Sequence, residues 1–297
     1  MRIGVDLGGT KIEAIALDAR GVELIRRRVA TPAGDYRGTV GALAALVAGL
    51  EAELGARASV GVATPGALSR ASGRMKNANS TVLIGEALDR DLSDALGRPV
   101  RIANDANCFA LSEASDGAGE GAEVVFGVIL GTGVGGGLAV GGRIVEGRNA
   151  IAGEWGHNPL PWPADAERPG PACYCGKRGC VETFLAGPSL SRDHFEATGA
   201  RLGAAEIAAA ARIDGPARET LARYADRLAR GLAMIVNIVD PDVIVLGGGV
   251  SNIDALYCGL AERLARYAFT DALATPVRKA AHGDSSGVRG AAWLWPA

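Results

Sequence analysis

The chain of 297 residues has almost no charge imbalance, with 31 basic side chains against 33 acidic ones. Without a basic surplus, nothing in it favours nucleic acid or an anionic membrane as a partner. Long apolar runs are missing as well. Stretches such as Val124 to Leu130 fall well short of the roughly 20 residues needed to cross a bilayer. The opening Met1-Arg2-Ile3-Gly4-Val5-Asp6 enters a strand pattern directly and lacks the apolar centre of a secretory signal, so the expected location is the cytoplasm. No G-x-x-x-x-G-K-[ST] occurs, which argues against a P-loop enzyme. Histidine is scarce, with three in all, and there are five cysteines. In a reducing compartment those cysteines read as metal ligands or core residues rather than disulfides.

What is present is concentrated between Glu154 and Glu182. Three of the cysteines, Cys173, Cys175 and Cys180, lie within eight positions, with glycines between them and His157 upstream across a proline-rich loop. Three thiolates and one imidazole make a closed four-coordinate set of the kind zinc fills in structural sites. Its binding energy, about 10–16 kcal/mol in zinc-finger peptides, would offset the ordering of an irregular loop. The plainer alternative is three reduced thiols and an unrelated histidine. Glu154 and Glu182 bracket the knot, so closing it would bring two sequence-distant acids together to bind a polyhydroxylated ligand. Cys108 and Cys258 read as small core residues.

Glycine is abundant, with 43 residues, against an average usage of about 7%. Ile3, Val5 and Leu7 alternate with Arg2, Gly4 and Asp6. Gly8-Gly9 then breaks the run and Ile12 to Leu17 resumes it, the pattern of a hairpin with a polar tip. Val22 to Val29 reads as a third strand, and Asp35 to Leu54 as a helix with Leu43, Leu46, Val47, Leu50 and Leu54 at helical spacing. Val60 to Ala63 is a buried strand ending in Thr64-Pro65-Gly66. Val100 to Ala103 is another, followed by Asn104-Asp105 and a helix to about Ala118. The opening pattern recurs as Val124 to Leu130, glycine-rich residues 131–137 and Leu138 to Val140, predicting two lobes that each begin with a glycine-tipped hairpin. A long helix from Pro216 to Val239, a strand from Asp242 to Leu246, the turn Gly247-Gly248-Gly249, a helix from Ile253 to Tyr267, a strand near Val277 to Ala280 and a helix from Ser285 to Trp295 complete the chain.

Three glycine turns follow strands: Gly8-Gly9-Thr10-Lys11, Gly131-Thr132-Gly133 and Gly247-Gly248-Gly249. Backbone amides freed by glycine can point at phosphate oxygens, and a hydroxyl and an ammonium add donors and charge. Residues 131–136 also fit the G-x-G-x-x-G of a dinucleotide fold, but that fingerprint needs a helix behind it and here a strand follows. Asp6 could hold Mg²⁺ directly or through water, or simply bond the turn; Lys11 could equally be a solvated lysine. Asp105 stands where open α/β sheets bind ligands, outside the carboxyl end of a strand, a position that also suits a helix cap.

Taken in order, Asp6-Leu7-Gly8-Gly9-Thr10-Lys11, Asn104-Asp105, Gly131-Thr132-Gly133, Glu154-x-x-His157, Cys173-x-Cys175-Gly176-x-x-Gly179-Cys180-x-Glu182 and Leu246-Gly247-Gly248-Gly249 resemble the ROK family of sugar kinases across essentially the whole chain. The resemblance implies an α/β fold of the actin-like ATPase (ribonuclease H-like) kind, with two lobes around a cleft. The first lobe would be residues 1–118, with a C-terminal helix at about 285–297 packing back on it; the second would be 119–284, carrying the zinc loop 157–180. It implies ATP, Mg²⁺ and a structural Zn²⁺, and a homodimer that takes a small sugar. Gly8, Gly9, Thr10, Lys11, Gly131, Thr132 and Gly133 would contact phosphates, with Asp6 beside them, and Gly247 and Gly248 would lie against adenosine. Gly66, Asn79, Asn104, Asp105, Glu154, His157 and Glu182 would bind the sugar, with Asp105 as the base, and His157, Cys173, Cys175 and Cys180 would hold zinc. Some members carry a DNA-binding helix-turn-helix ahead of this portion; here the first turn begins at Asp6 and leaves no room for one.

Within the family, Lys76 to Thr81, Glu154 to Trp162 and His282 to Gly290 resemble the bacterial fructokinases that also accept mannose. The expected reaction is therefore ATP-dependent phosphorylation of D-fructose at its 6-hydroxyl. Val82 departs from the large aromatic expected there, which puts the sugar preference in question. Glucokinase or N-acetylhexosamine kinase is the alternative within the family. A non-catalytic sugar sensor is the alternative outside it, and one that would need neither Asp105 nor two phosphate turns.

Overall fold

The computed structural model describes every residue except Asn79, Asp284, Ser285 and Ala297. β1 (Arg2–Leu7) reverses at Gly8-Gly9-Thr10 into β2 (Lys11–Leu17), paired antiparallel from Arg2↔Leu17 to Leu7↔Ile12, and β3 (Glu23–Ala30) adds to the other edge of β2. α1 (Tyr36–Leu54) begins where the Asp35 carboxylate accepts the Gly38 N–H, and it stops at Gly55 in the left-handed region (φ 63°). Its Leu43, Leu46, Val47 and Leu50 share one core with Ile3, Val5, Ile12, Val60 and Val62 of the sheet. Next come β4 (Ser59–Thr64), a small hairpin of β5 (Ala67–Leu68) and β6 (Met75–Lys76), α2 (Leu88–Leu96), β7 (Val100–Asn104) and α3 (Asp105–Asp116).

The pattern then starts again with β8 (Val124–Leu130), β9 (Val134–Val140) and β10 (Arg143–Ile144). A mostly irregular stretch leads to α4 (Glu182–Leu185), α5 (Gly187–Thr198), α6 (Ala204–Ala210), α7 (Gly215–Val239), β11 (Val243–Gly247), α8 (Leu260–Ala265), β12 (Val277–Lys279) and α9 (Ser286–Trp293). The two five-stranded sheets run β3-β2-β1-β4-β7 and β10-β9-β8-β11-β12. Counted by order of appearance, both read third, second, first, fourth, fifth. In each, the first, fourth and fifth strands are parallel.

The chain forms two compact units: Met1–Gly121 with Gly137–Ala152 and Asp284–Ala297, and Ala122–Gly136 with Gly153–Gly283. The sequence reading differs in keeping all of 119–284 together. β9 passes from one unit into the other at Gly137. There the missing side chain allows backbone contact with α3, since a Cβ would stand 2.3 Å from the Ala106 carbonyl oxygen. Ile144 of β10 then packs on Ala63, Ala103, Cys108 and Ala291, all of the first unit. The glycine turn expected at 131–137 is also shorter than predicted, because β9 begins at Val134. The helix expected from Ile253 to Tyr267 is reduced to α8, since Gly259 sits at φ 64° and two short 3₁₀ turns precede it. Cys258 is exposed rather than a core residue, whereas Cys108 is buried. Among the described residues no helix is long and apolar enough to cross a membrane.

In the first unit α9 lies directly on backbone. A Cβ at Gly4 would stand 2.0 Å from the Val288 carbonyl oxygen, one at Gly61 1.9 Å from that of Ala291, and one at Gly290 1.7 Å from that of Cys108. Glycine here is a condition of close approach. In the second unit β11 is buried throughout and α7 lays Leu221, Tyr224, Leu228 and Leu232 into the core, with the Tyr224 hydroxyl donating to the Leu185 carbonyl at 2.7 Å. Gly290→Ala isolates the packing term, because alanine is by itself the better helix former by about 1 kcal/mol. We expect the variant to lose about 2–3 kcal/mol of unfolding free energy in urea denaturation; a gain in stability would show that the helix does not sit this close.

Candidate active site and metal-binding knot

In the first unit the carboxyl ends of three parallel strands carry the candidate residues. Asp6 lies near the end of β1, Gly66 just beyond β4, and Asn104-Asp105 at the junction of β7 and α3. Asn104 caps α3, its Oδ1 accepting the Ala106 N–H at 2.9 Å while its Nδ2 donates to the Gly66 carbonyl at 3.2 Å. That carbonyl is aimed by a left-handed glycine (φ 79°) at which a Cβ would meet the Lys76 carbonyl oxygen at 2.4 Å. Asp105 Oδ1 also accepts the Ala106 N–H, at 2.8 Å. The Asp105 side chain reaches solvent, yet enough protein crowds it that poor solvation raises its pKa, against the pull of the Ala106 and Asp105 amides and of the Asn104 side chain.

Asp6 is pushed up to about 6, first by burial, then by the charges of Asp105 and Glu13, with Lys11 opposing. The Gly8-to-Lys11 turn is tied down by Thr31, whose hydroxyl donates to the Gly8 carbonyl at 2.7 Å and whose N–H donates to the Thr10 carbonyl at 3.0 Å. Lys11 is exposed and lies 3.7 Å from Glu13.

In the second unit the Gly131-Thr132-Gly133 turn is closed by the Gly131 N–H donating to the Gly133 carbonyl at 2.9 Å. Among the described residues neither the Thr132 N–H nor the Gly133 N–H finds an acceptor, which leaves two donors for an anion. Trp155 is buried, with its indole N–H donating to the Gly135 carbonyl at 2.9 Å, and it anchors a 3₁₀ turn that leaves Glu154 exposed beside it. Gly136 and Gly231 make room for that indole. Gly248, at φ 82°, presses on the Leu130 carbonyl and follows Gly247 out of β11. Beyond it lies a cavity of about 520 Å³ floored by Leu221, Ala225 and Ile253 and edged by Arg212, Asn252 and Gly249, a size suited to a small ligand.

The four knot residues converge. One ligand atom each from His157, Cys173, Cys175 and Cys180 lies within 4.8 Å of every other. Cys175 Sγ and Cys180 Sγ are 3.6 Å apart, and Cys173 Sγ is 3.5 Å from His157 Nδ1. Zn–S bonds of about 2.3 Å and Zn–N bonds of about 2.0 Å at tetrahedral angles require edges of about 3.8 and 3.5 Å, so these two separations and the chemistry of the donors suit that ion. A two-residue bridge, Ala172 with Arg178, folds the cysteines together, and the Cys173 N–H donates to the Lys177 carbonyl at 2.9 Å. A backbone hydrogen bond at Lys177 holds Cys175 below the ordinary range, and burial pushes Cys180 up to about 12.

The structure thus separates the sequence-predicted residues by unit. Asp6, Gly8, Gly9, Thr10, Lys11, Gly66, Asn104 and Asp105 belong to the first, and Gly131, Thr132, Gly133, Glu154, His157, Glu182, Gly247, Gly248 and the three cysteines to the second. Asn79 lies outside the described residues. The ring of His157, read from the sequence as both sugar and metal contact, presents Nδ1 to Cys173 and Nε2 to the Tyr174 hydroxyl at 2.8 Å. Tyr174 was not singled out from the sequence, although its place between two ligand cysteines was the available signal. Glu182 Oε2 accepts the Val134 N–H at 2.9 Å.

Residues 2–297 match the ROK family. The chain belongs to that family. It is an ATP-dependent sugar kinase with the fold of the actin-like ATPases. It is 42% identical to the N-acetyl-D-glucosamine kinase of Pectobacterium atrosepticum over 99% of this chain and 98% of the relative. The identity to the enzyme of the same name from Salmonella gallinarum is also 42%, over 99% of each. Among solved structures, the ROK hexokinase from Thermus thermophilus superposes with a TM-score of 0.87 at 36% identity, covering 99% of this chain and 97% of that one. The Streptomyces griseus ROK glucokinase, solved with glucose and AMPPNP, gives 0.77 at 31% identity, covering 99% and 98%. The two N-acetyl-D-glucosamine kinases among them do not support the fructokinase expectation; they favour its N-acetylhexosamine alternative.

The Asp6 carboxyl offers a pH test. Its folded value of about 6 lies above the unfolded value of about 3.9, so the folded protein holds the extra proton between those limits. The charge therefore costs stability above pH 6, and the cost fades on acidification. A gap of about two units corresponds to about 3 kcal/mol. Asp6→Asn is expected to raise unfolding free energy at pH 8 by up to that amount and to bring no gain at about pH 4. Denaturation curves across pH would reveal an absent gain at pH 8, and with it a misread carboxyl.

Proposed function

We propose that this chain transfers the γ-phosphoryl group of ATP to the 6-hydroxyl of N-acetyl-D-glucosamine, with Asp105 as general base, working as a cytoplasmic homodimer. The observation that carries the reaction is the Asn104-Asp105 corner. A carboxylate at a helix start, fixed by the Ala106 N–H and backed by Asn104, has its pKa raised by poor solvation. A raised pKa makes it a better acceptor for the proton of an attacking hydroxyl. Phosphoryl transfer otherwise demands positioning and charge neutralisation. The free amides of Thr132 and Gly133, the Gly8-to-Lys11 turn and the Lys11 ammonium would supply donors and charge to phosphate oxygens. Asp6, crowded by Asp105 and Glu13, is suited to a hard cation such as Mg²⁺. The cavity beyond Gly248 suits adenosine.

His157, Cys173, Cys175 and Cys180 would hold Zn²⁺, which supplies a closed structural cross-link with no position open for substrate. Gly66, Asn104, Glu154 and Glu182 supply acceptors for sugar hydroxyls. The choice of sugar rests on the full-length likeness to N-acetyl-D-glucosamine kinases.

ADP production measured with N-acetylglucosamine, N-acetylmannosamine, glucose, mannose and fructose is expected to give the highest kcat/KM for N-acetylglucosamine. Fructose in first place would restore the fructokinase reading instead. Asp105→Asn is expected to lower kcat about 10²–10⁴-fold with no loss of thermal stability, and near-normal turnover in this variant would remove Asp105 from its role.

A further inference from the structure

Glu182 stands two residues after the last cysteine of the knot, at the head of α4. Its immediate surroundings are rigid. The Val181 N–H donates to the Asn158 carbonyl at 2.8 Å, the Thr183 N–H and hydroxyl both donate to the Cys180 carbonyl at 2.9 and 2.7 Å, and the Ala186 N–H donates to the Glu182 carbonyl at 3.0 Å. From this fixed base the side chain reaches the phosphate turn and accepts the Val134 N–H. A Cβ at Gly133 would lie 2.7 Å from Oε2, so glycine at that position is needed for the carboxylate to approach, quite apart from any phosphate. The same segment grips the other end of the turn, where the Gly187 N–H donates to the Gly131 carbonyl at 2.8 Å. Residues 182–187 therefore hold the turn at both ends, and the two free amides lie between the grips.

We propose that Glu182 is a positioning residue that couples the Cys/His knot to the Gly131-Thr132-Gly133 turn, so that the knot sets nucleotide affinity as well as the sugar side of the site. The coupling runs through one carboxylate. Oε2 is committed to the turn, while Oε1, which has no partner among the described residues, is left for a sugar hydroxyl. Opening the knot releases Cys180, lets the start of α4 move, and removes the acceptor that keeps Val134 and the preceding amides in register. This inference rests on the kinase reading above.

The test measures nucleotide binding without turnover. Calorimetric titration of the full-length protein, its zinc content checked by elemental analysis, uses Mg²⁺ and AMPPNP in the absence of sugar. Glu182→Ala is expected to weaken AMPPNP binding about tenfold, the size of one charge-assisted hydrogen bond. Glu182→Gln, whose amide oxygen still accepts the Val134 N–H, is expected to stay within about threefold of wild type. Chelating zinc from the wild type is expected to weaken binding by about the factor seen in the alanine variant, and to add little in that variant, because interacting steps are not additive. Wild-type affinity in Glu182→Ala, equal loss in the glutamine variant, or a full additional loss on chelating the alanine variant would each overturn the coupling. A wild-type protein that binds no AMPPNP at all would instead sink the kinase reading.

Discussion

The arrangement depends above all on the parallel register of β1, β4 and β7. Because Asp6 is level with Ala63, and Thr64 with Asn104, three strands deliver their carboxyl ends to one place. Acids that are distant in the chain must then share a poorly solvated neighbourhood. Asp6 and Asp105 each lose solvation there, and Asp105 further raises the pKa of Asp6. A site that strains its own carboxylates in this way is one that a bound cation, or a proton arriving from a substrate, relieves. The same crowding costs stability when nothing is bound, which is a common signature of sites selected for chemistry rather than for folding.

The second unit repeats the strand order but solves a different problem. Its residues 153–181 contain little regular structure, so their position has to come from elsewhere. Trp155 plugs into the core beside two glycines, the knot gathers four ligands, and Glu167 is clamped by Arg227 and Arg230 of α7. Burial alone would raise the Glu167 carboxyl; the two guanidiniums outweigh it and hold it at about 2. A half-buried ion pair of this kind is a modest source of net stability but a good source of register, since a misplaced loop would leave the charges unpaired.

The sequence was most legible where a local rule applied. Glycines that break an apolar alternation marked the hairpin tips. The C-x-C-x₄-C spacing marked the knot, and a carboxylate directly after a buried strand marked Asp105. It was least legible where the decision was tertiary. Nothing local assigns residues 137–152 to the first unit, because what places them there is contact between Gly137 and Ala106 across the fold. The expected helix after Ile253 fails at Gly259, a left-handed stop that apolar periodicity does not show. The choice of sugar was hard to read for a related reason: turns and acids that serve phosphoryl transfer do not separate one hexose from another, and the curated relatives favour the N-acetylhexosamine alternative.

The seating of α9 has an outcome at the ribosome. The first unit draws on segments far apart in the chain, since Gly4 and Gly61 lie against a helix built from residues 286–293. Nascent β1 and β4 must therefore wait with one face uncovered while everything between them and that helix is synthesised. The second unit, assembled from residues already emerged, can finish first, reversing the usual order in which the amino-terminal part of a protein folds ahead of the rest.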